Sequence, residues 1–283
     1  MPVALVSDTC HYLPRPIVNE IGLQEVSLYV NRAGSAEREA DIIDYGAYYA
    51  SLAAGGALPT TSQPSIGDFL AVYEPLISSG YDVVSIHLSG GLSGTVAAAT
   101  QARDQLADGG GRVHIVDSAT ACGAQGLMLL AAAAAVRMGA DAAAVVDRAE
   151  QARASLRFLF SLDTLEYLRR GGRIGGAQAF LGAALKIKPI LSLDTEITAV
   201  ERVRTSGRAF ERMVSLLEQL KADGRDGWVV QHAHAHGQAR ALVERGREIF
   251  GSEPVFTSEI GPVIGTHIGP GLLGVGATRR ALL

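Results

Sequence analysis

Residues 81–107 read YDVVSIHLSGGLSGTVAAATQARDQLA, and RVHIVDS follows at 112–118. YDVVSIHLS at 81–89 is an apolar run of strand length, GGLSGT at 90–95 a loop, and VAAATQARDQLA a helix. A strand, a helix and a second strand in that order form a crossover unit, with parallel strands and the helix laid over one face. The pattern extends upstream. VALVSD at 3–8 is a short buried strand, GLQEVSLYV at 22–30 is strand-like, and DYGAYYASLAA at 44–54 is helical. Ser65 stands three residues before Asp68 and just ahead of FLAVYEPLI, a capping-box start for another helix. Strand–helix alternation of this kind predicts a parallel sheet covered on both faces.

Downstream, LMLLAAAAAV at 127–136 is followed by Arg137 and Asp141. A membrane span needs roughly 20 apolar residues, so a buried, alanine-faced helix is expected instead. The second half changes character: SLRFLFS at 155–161 is a strand and LDTLEYLRRGG a short helix stopped by glycine. KIKPILSL and EITAVERVRTS, broken by Asp194 and Thr195, predict a hairpin. A helix at 208–221, the strand WVVQHAH, a helix at 237–249 and the strand EPVFTSEI follow. The chain closes with GPVIGTHIGPGLLGVGATRR. A domain boundary is expected near 155–162.

Composition limits the function. The 283 residues are 48% hydrophobic and 19% charged, with a formal net charge of −4. That is too apolar for a disordered chain, and the acidic balance argues against a nucleic-acid binder, which needs a basic face. The 33 glycines exceed the usual share of roughly 7%. Two cysteines, Cys10 and Cys122, cannot supply a disulfide framework. The opening MPVALVSDTCHYLPRP lacks a basic region and carries Asp8 inside its apolar stretch, so no signal peptide is read and a cytoplasmic protein is expected.

Two loops share one chemistry. Thr60, Thr61, Ser62 and Ser65 crowd the first, and Ser89, Ser93 and Thr95 the second. Each precedes a helix, where free N–H groups suit an anion. Neither has the lysine of a phosphate-binding loop, and no dinucleotide fingerprint follows the first strand. Hydroxyls and amides suit a single carboxylate; ordinary caps and turns would use the same residues. His267 lies in a glycine-rich loop, GTHIGPG, open to a ligand or serving structure. His232, His234 and His236 alternate at a strand end with no Cys or carboxylate ligand beside them in sequence, so solvent contact is expected and no metal is assigned. Arg169, Arg170 and Arg173, and then Arg202 and Arg204, form candidate anion or partner surfaces.

SDT at 7–9, TSQPS at 61–65, GLSGT at 91–95, VDS at 116–118, LEYLRRGGRI at 165–174, KIKPIL at 186–191 and GPVIGTHIGPGLLGVG at 261–276 come in an order that closely resembles the DegV family, fatty-acid-binding proteins that serve bacterial fatty acid kinase. The resemblance spans essentially the whole chain. It implies a two-domain α/β fold: an N-terminal parallel α/β/α sandwich over 1–158 carrying the carboxylate loops, and a second α/β domain with a mixed sheet over 159–283 lining the acyl-chain tunnel. It further implies that Thr61 and Ser93 grip the carboxylate of a long-chain fatty acid such as palmitate, with Ser62, Gly94 and Thr95 alongside and His267 completing the network. Arg202 and Arg204, with Arg173, match a surface for docking the ATP-binding kinase subunit. The implied protein is a carrier and not an enzyme, with no cofactor beyond its lipid, and transient membrane-surface contact is a further expectation. Where the family commonly writes D-S-T, this chain has Ser7-Asp8-Thr9, which leaves the role of Asp8 open. The apolar stretch from Ala177 to Leu193 is the candidate tunnel lining. The alternative is a serine hydrolase using Ser93, Asp117 and His267. Gly91 to Thr95 sits near a nucleophile-elbow position, though the pentad lacks its final glycine.

Overall fold

The computed structural model describes residues 1–32, 34–106, 110–181 and 187–283. The first half builds the expected parallel sheet from β1 (Val3–Asp8), β2 (Gln24–Val26), β6 (Asp82–His87) and β7 (Val113–Asp117), in the order β2-β1-β6-β7. Helix α1 (Arg15–Glu20) links the first two strands. The strand-like run at 22–30 divides: β2 joins the parallel sheet, while β3 (Tyr29–Arg32) leaves it for a small antiparallel sheet with β4 (Ser35–Arg38) and β5 (Thr60–Ser62). Between β4 and β5 lies α2 (Tyr45–Ala53). Thus the first hydroxyl loop begins on a strand, β5, that the sequence reading did not anticipate.

Helix α3 (Ile66–Ser78) starts as expected: the Ser65 hydroxyl accepts the Asp68 N–H, and the Asp68 carboxylate takes the Ser65 N–H at 2.8 Å. It covers one face of the parallel sheet together with α4 (Thr95–Gln105). The alanine-rich segment is α5 (Cys122–Arg137), which touches β1 and β6 of the parallel sheet. Its other side meets β11 (Gly227–His232) and β13 (Leu273–Thr278) of the second sheet. A helix sandwiched between two sheets has no solvent face, and small side chains let both sheets approach. At Gly123 a methyl group would run into Gln231 and Val229. Next comes α6 (Ala142–Ser155), packed along α5.

The second sheet is mixed. It comprises β8 (Arg157–Ser161), β9 (Lys188–Asp194), β10 (Glu196–Val203) and β12 (Phe256–Glu259) besides β11 and β13, in the order β10-β9-β8-β13-β11-β12. Only the β11–β12 pair is parallel within it, and β9–β10 form the expected hairpin. The division expected at 158/159 falls inside β8. Helix α7 (Glu166–Arg170) follows β8. Helices α8 (Ser206–Ala222) and α9 (His236–Phe250) cover the outer face around buried Trp228. Helix α10 (Pro262–Ile268) contacts α2 and α7 in the large central core. Among the described residues, no helix is long and apolar enough to cross a membrane.

Candidate functional site

Both hydroxyl loops border a cavity of about 320 Å³ in the central core, inside the usual range of small-molecule sites, roughly 300–1,000 Å³. Most of its wall is apolar and comes from both halves of the chain: Leu28, Leu88 and Cys122 on one side, Phe158, Phe160 and Leu193 on the other, with Val263 and Ile268 of α10. The polar lining residues are Thr61, Ser62, Gln63, Ser93, Gly94, Arg173 and His267, and they form one connected patch. Thr61 Oγ1 lies 2.7 Å from His267 Nε2. Arg173 donates to the Leu92 carbonyl at 3.3 Å, beside Ser93. The two loops touch where Gly94 meets the Gln63 side chain, so closely that any β-carbon on residue 94 would overlap the amide.

Three devices hold the second loop. Ser93 Oγ is 2.8 Å from the hydroxyl of Thr95, which is fully buried and outside the cavity wall, so Thr95 orients Ser93. Asp117, at the end of β7, accepts the N–H groups of Gly90 and Ala119. The tip of the β9–β10 hairpin then docks on the loop: Ser89 Oγ donates to the Thr195 carbonyl at 2.6 Å, and the Thr195 N–H donates to the Ala119 carbonyl. Ser89 thus serves as a clamp between the two halves of the chain. Gly94 is the N-cap of α4, which leaves first-turn N–H groups of that helix beside the patch.

His267 lies in the last turn of α10, where a glycine-rich loop was expected. Pro262 at the first helical position presets φ, and Gly269 at φ 69 ends the helix. The buried carboxylate of Glu39 accepts the Val263 N–H at 2.8 Å, satisfying a free donor of the first turn. Burial, with the positive charge of Arg173 nearby, lowers the His267 pKa from 6.5 to about 4. The ring is therefore neutral near pH 7. Its Nδ1 is buried and has no hydrogen-bond partner among the described residues.

Asp8 takes no part in the cavity. It is fully buried, accepts the Cys10 and Leu88 N–H groups, and lies 3.1 Å from His87 Nδ1, tying β1 to β6. Of the stretch 177–193, Leu193 reaches the cavity; Ala177 is in the core, and residues 182–186 lie outside the described set. The apolar wall is instead gathered from many elements, among them Phe158 and Phe160 of β8 and Val263, Ile264 and Ile268 of α10. Arg173 lines the cavity, whereas Arg202 and Arg204 do not. Arg202 is exposed on the edge strand β10 with its guanidinium 5.2 Å from the centre of the Phe180 ring, and Arg204 is exposed just beyond the strand. Ser93, Asp117 and His267 do not form a triad. His267 bonds Thr61, Ser93 bonds Thr95, and the Asp117 carboxylate is engaged by backbone, so neither the base nor its orienting acid is in place.

Two larger sheets and the small β4-β3-β5 sheet contribute to one apolar cavity with a polar end, the form of a small-molecule site. Residues 2–280 match the family model described as "Uncharacterised protein, DegV family", and the chain belongs to that family. It is 36% identical over 278 residues to the protein DegV of Bacillus subtilis, covering 97% of this chain and 98% of that protein. A DegV domain-containing protein of Streptomyces coelicolor is 38% identical over 286 residues, covering 98% and 99% of the two chains. Among solved structures, a DegV family protein of Thermus thermophilus, described as binding fatty acid, superimposes with a TM-score of 0.88 at 36% identity over 99% of this chain and 100% of that one.

Proposed function

We propose that this chain binds one long-chain fatty acid, shields its tail in the central cavity, and holds the carboxylate at the patch of Thr61, Ser93 and His267. The observation that carries the reading is the cavity itself: an apolar enclosure whose described polar residues gather into one hydroxyl-rich patch that includes the cationic side chain of Arg173. The fatty acid described for the Thermus thermophilus relative supports the same ligand class. Burying roughly 14 methylenes at about 0.8 kcal/mol each contributes on the order of 11 kcal/mol before ordering costs, so the tail supplies most of the affinity. Ser62 and the Gly94 backbone complete the cradle.

In this reading the protein is a cytoplasmic carrier that serves a separate ATP-binding kinase subunit. A carboxylate oxygen attacks the γ-phosphorus of ATP held by that subunit, ADP leaves, and the acyl phosphate stays with its carrier. Arg202 and Arg204 form the docking surface, and loading proceeds by transient contact with a membrane surface. Native mass spectrometry of the gently purified chain tests the first step. It should show an adduct of fatty-acid mass that Thr61→Ala and Ser93→Ala each diminish, with unchanged circular dichroism. A chain that is empty and also takes up no added palmitate or oleate refutes the reading. With lipid-loaded protein, kinase subunit and ATP, Arg202→Ala should slow acyl-phosphate formation without loss of lipid.

A further inference from the structure

The three histidines at 232–236 lie outside the cavity, and their surroundings differ from what the local sequence implies. His232 ends β11, and its register partner on the parallel strand β12 is Glu259. Side chains of paired residues on neighbouring parallel strands emerge on the same face. The chain then turns sharply, with His234 in the left-handed region at φ 52, and re-enters as α9 at His236. That turn folds His236 back over His232, their ring centres 4.6 Å apart. His236 Nε2 is 3.5 Å from Glu259 Oε1, and His232 Nδ1 is 4.0 Å from the same oxygen; that Nδ1 also accepts the Ala235 N–H at 3.4 Å, a long bond that a metal on Nδ1 would displace. The His234 backbone N–H donates to that oxygen at 3.1 Å and fixes the carboxylate in place.

We propose that His232, His236 and Glu259 form a binding site for one divalent transition-metal ion of the zinc class. One donor atom from each residue can be chosen so that all three lie within 4.8 Å of one another. Tetrahedral zinc with bonds of about 2.0–2.2 Å needs donors roughly 3.3–3.5 Å apart, so the site closes by about 1 Å on binding. Two of the three donors are movable: the His236 side chain is 55% exposed and that of Glu259 20%, while His232, at 8%, is the rigid anchor. Two imidazoles and one carboxylate favour zinc, nickel, copper or iron over calcium and magnesium, which require oxygen-rich shells. The N-terminus of α9 opposes a cation, and the carboxylate offsets it. A fourth coordination position faces solvent beside His236, as in open zinc sites. The bound ion would pin β11, β12 and the start of α9 together, one residue from Ile260 in the cavity wall.

The test uses the untagged full chain stripped of metal, titrated with Co²⁺ as a spectroscopic probe and then with Zn²⁺ as competitor. One equivalent of Co²⁺ should give visible d–d absorption that Zn²⁺ abolishes. His236→Ala and Glu259→Gln, both at partly exposed side chains, should each weaken Zn²⁺ binding tenfold or more in calorimetry while leaving circular dichroism and fatty-acid uptake unchanged. Absence of saturable binding, or equal affinity in both variants and the parent, overturns the assignment.

Discussion

Replacing Glu39 by glutamine removes a buried charge while keeping its shape. Glu39 is 2% exposed. It accepts hydrogen bonds from Thr9 at 2.5 Å, Tyr12 at 2.8 Å and the Val263 N–H at 2.8 Å. Burial outweighs those three donors and, with the negative charge of Asp8, raises its pKa from 4.5 to about 7. An acid whose folded pKa lies above its unfolded pKa keeps its proton more tightly in the folded chain. Its stabilisation is complete below pH 4.5 and is lost as pH rises through 7. A shift of that size, at 1.36 kcal/mol per pKa unit, is worth on the order of 3 kcal/mol. Glutamine retains an acceptor oxygen for Tyr12 and Val263 but presents an amide to Thr9, a mismatch costing about 1 kcal/mol at every pH. Glu39→Gln should therefore be less stable than the parent by about 1 kcal/mol near pH 4 and more stable by about 2 kcal/mol at pH 8, crossing near pH 5. Urea denaturation followed by the fluorescence of Trp228, the one tryptophan, measures both curves. Their difference isolates Glu39, because His267, with its lowered pKa, shifts both proteins in the opposite sense. Parallel curves from pH 4 to 8 would refute the reasoning.

Two further outcomes follow from the cavity's polar end. At Gly171 φ is −78°, so alanine suits the backbone, but its methyl would collide with His267 Nδ1. Gly171→Ala should displace the ring from Thr61 and weaken palmitate binding about fivefold, the worth of one hydrogen bond near 1 kcal/mol. Thr61→Val added to that variant should cost little more; full additivity in a fluorescent-lipid displacement assay would show the two residues act separately. Arg173→Met should weaken palmitate binding and leave the uncharged alcohol hexadecanol unaffected. Equal losses for both ligands would assign Arg173 to packing alone.

Much of what depends on neighbours in sequence was legible from it. The alternation of strands and helices, the Ser65–Asp68 cap, the buried alanine helix and the hairpin at Thr195 each carry a local signature, and each stands where expected. The hydroxyl loops were legible as well, since Ser and Thr before a helix are a local motif. The small sheet was not: β4 and β5 are four and three residues long, with β4 exposed throughout, too short for a period to register. His267 was placed in a loop because the glycines of GPVIGTHIG outweighed a helix-start signal that Pro262 did supply. Other roles rest on contacts between distant parts of the chain. Arg173 reads as one more member of a basic cluster until it is seen against Leu92, 81 residues away, and Glu259 joins His232 only through strand register.

The character of the polar end bears on what a bound carboxylate could do. Two hydroxyls and a neutral imidazole offer dipoles, and Arg173, the only cation among the described lining residues, already donates to the carbonyls of Leu92 and Gly171. A carboxylate held this way keeps most of its charge on its oxygens, whereas a bidentate guanidinium pair would bind it more tightly and dull it as a nucleophile. On the proposed reading that weakness is useful. The tail, worth on the order of 11 kcal/mol, retains the ligand, and the head stays reactive. A second consequence follows for the imidazole: burial and Arg173 hold its pKa near 4 in the free protein, so an incoming carboxylate meets an uncharged ring near pH 7.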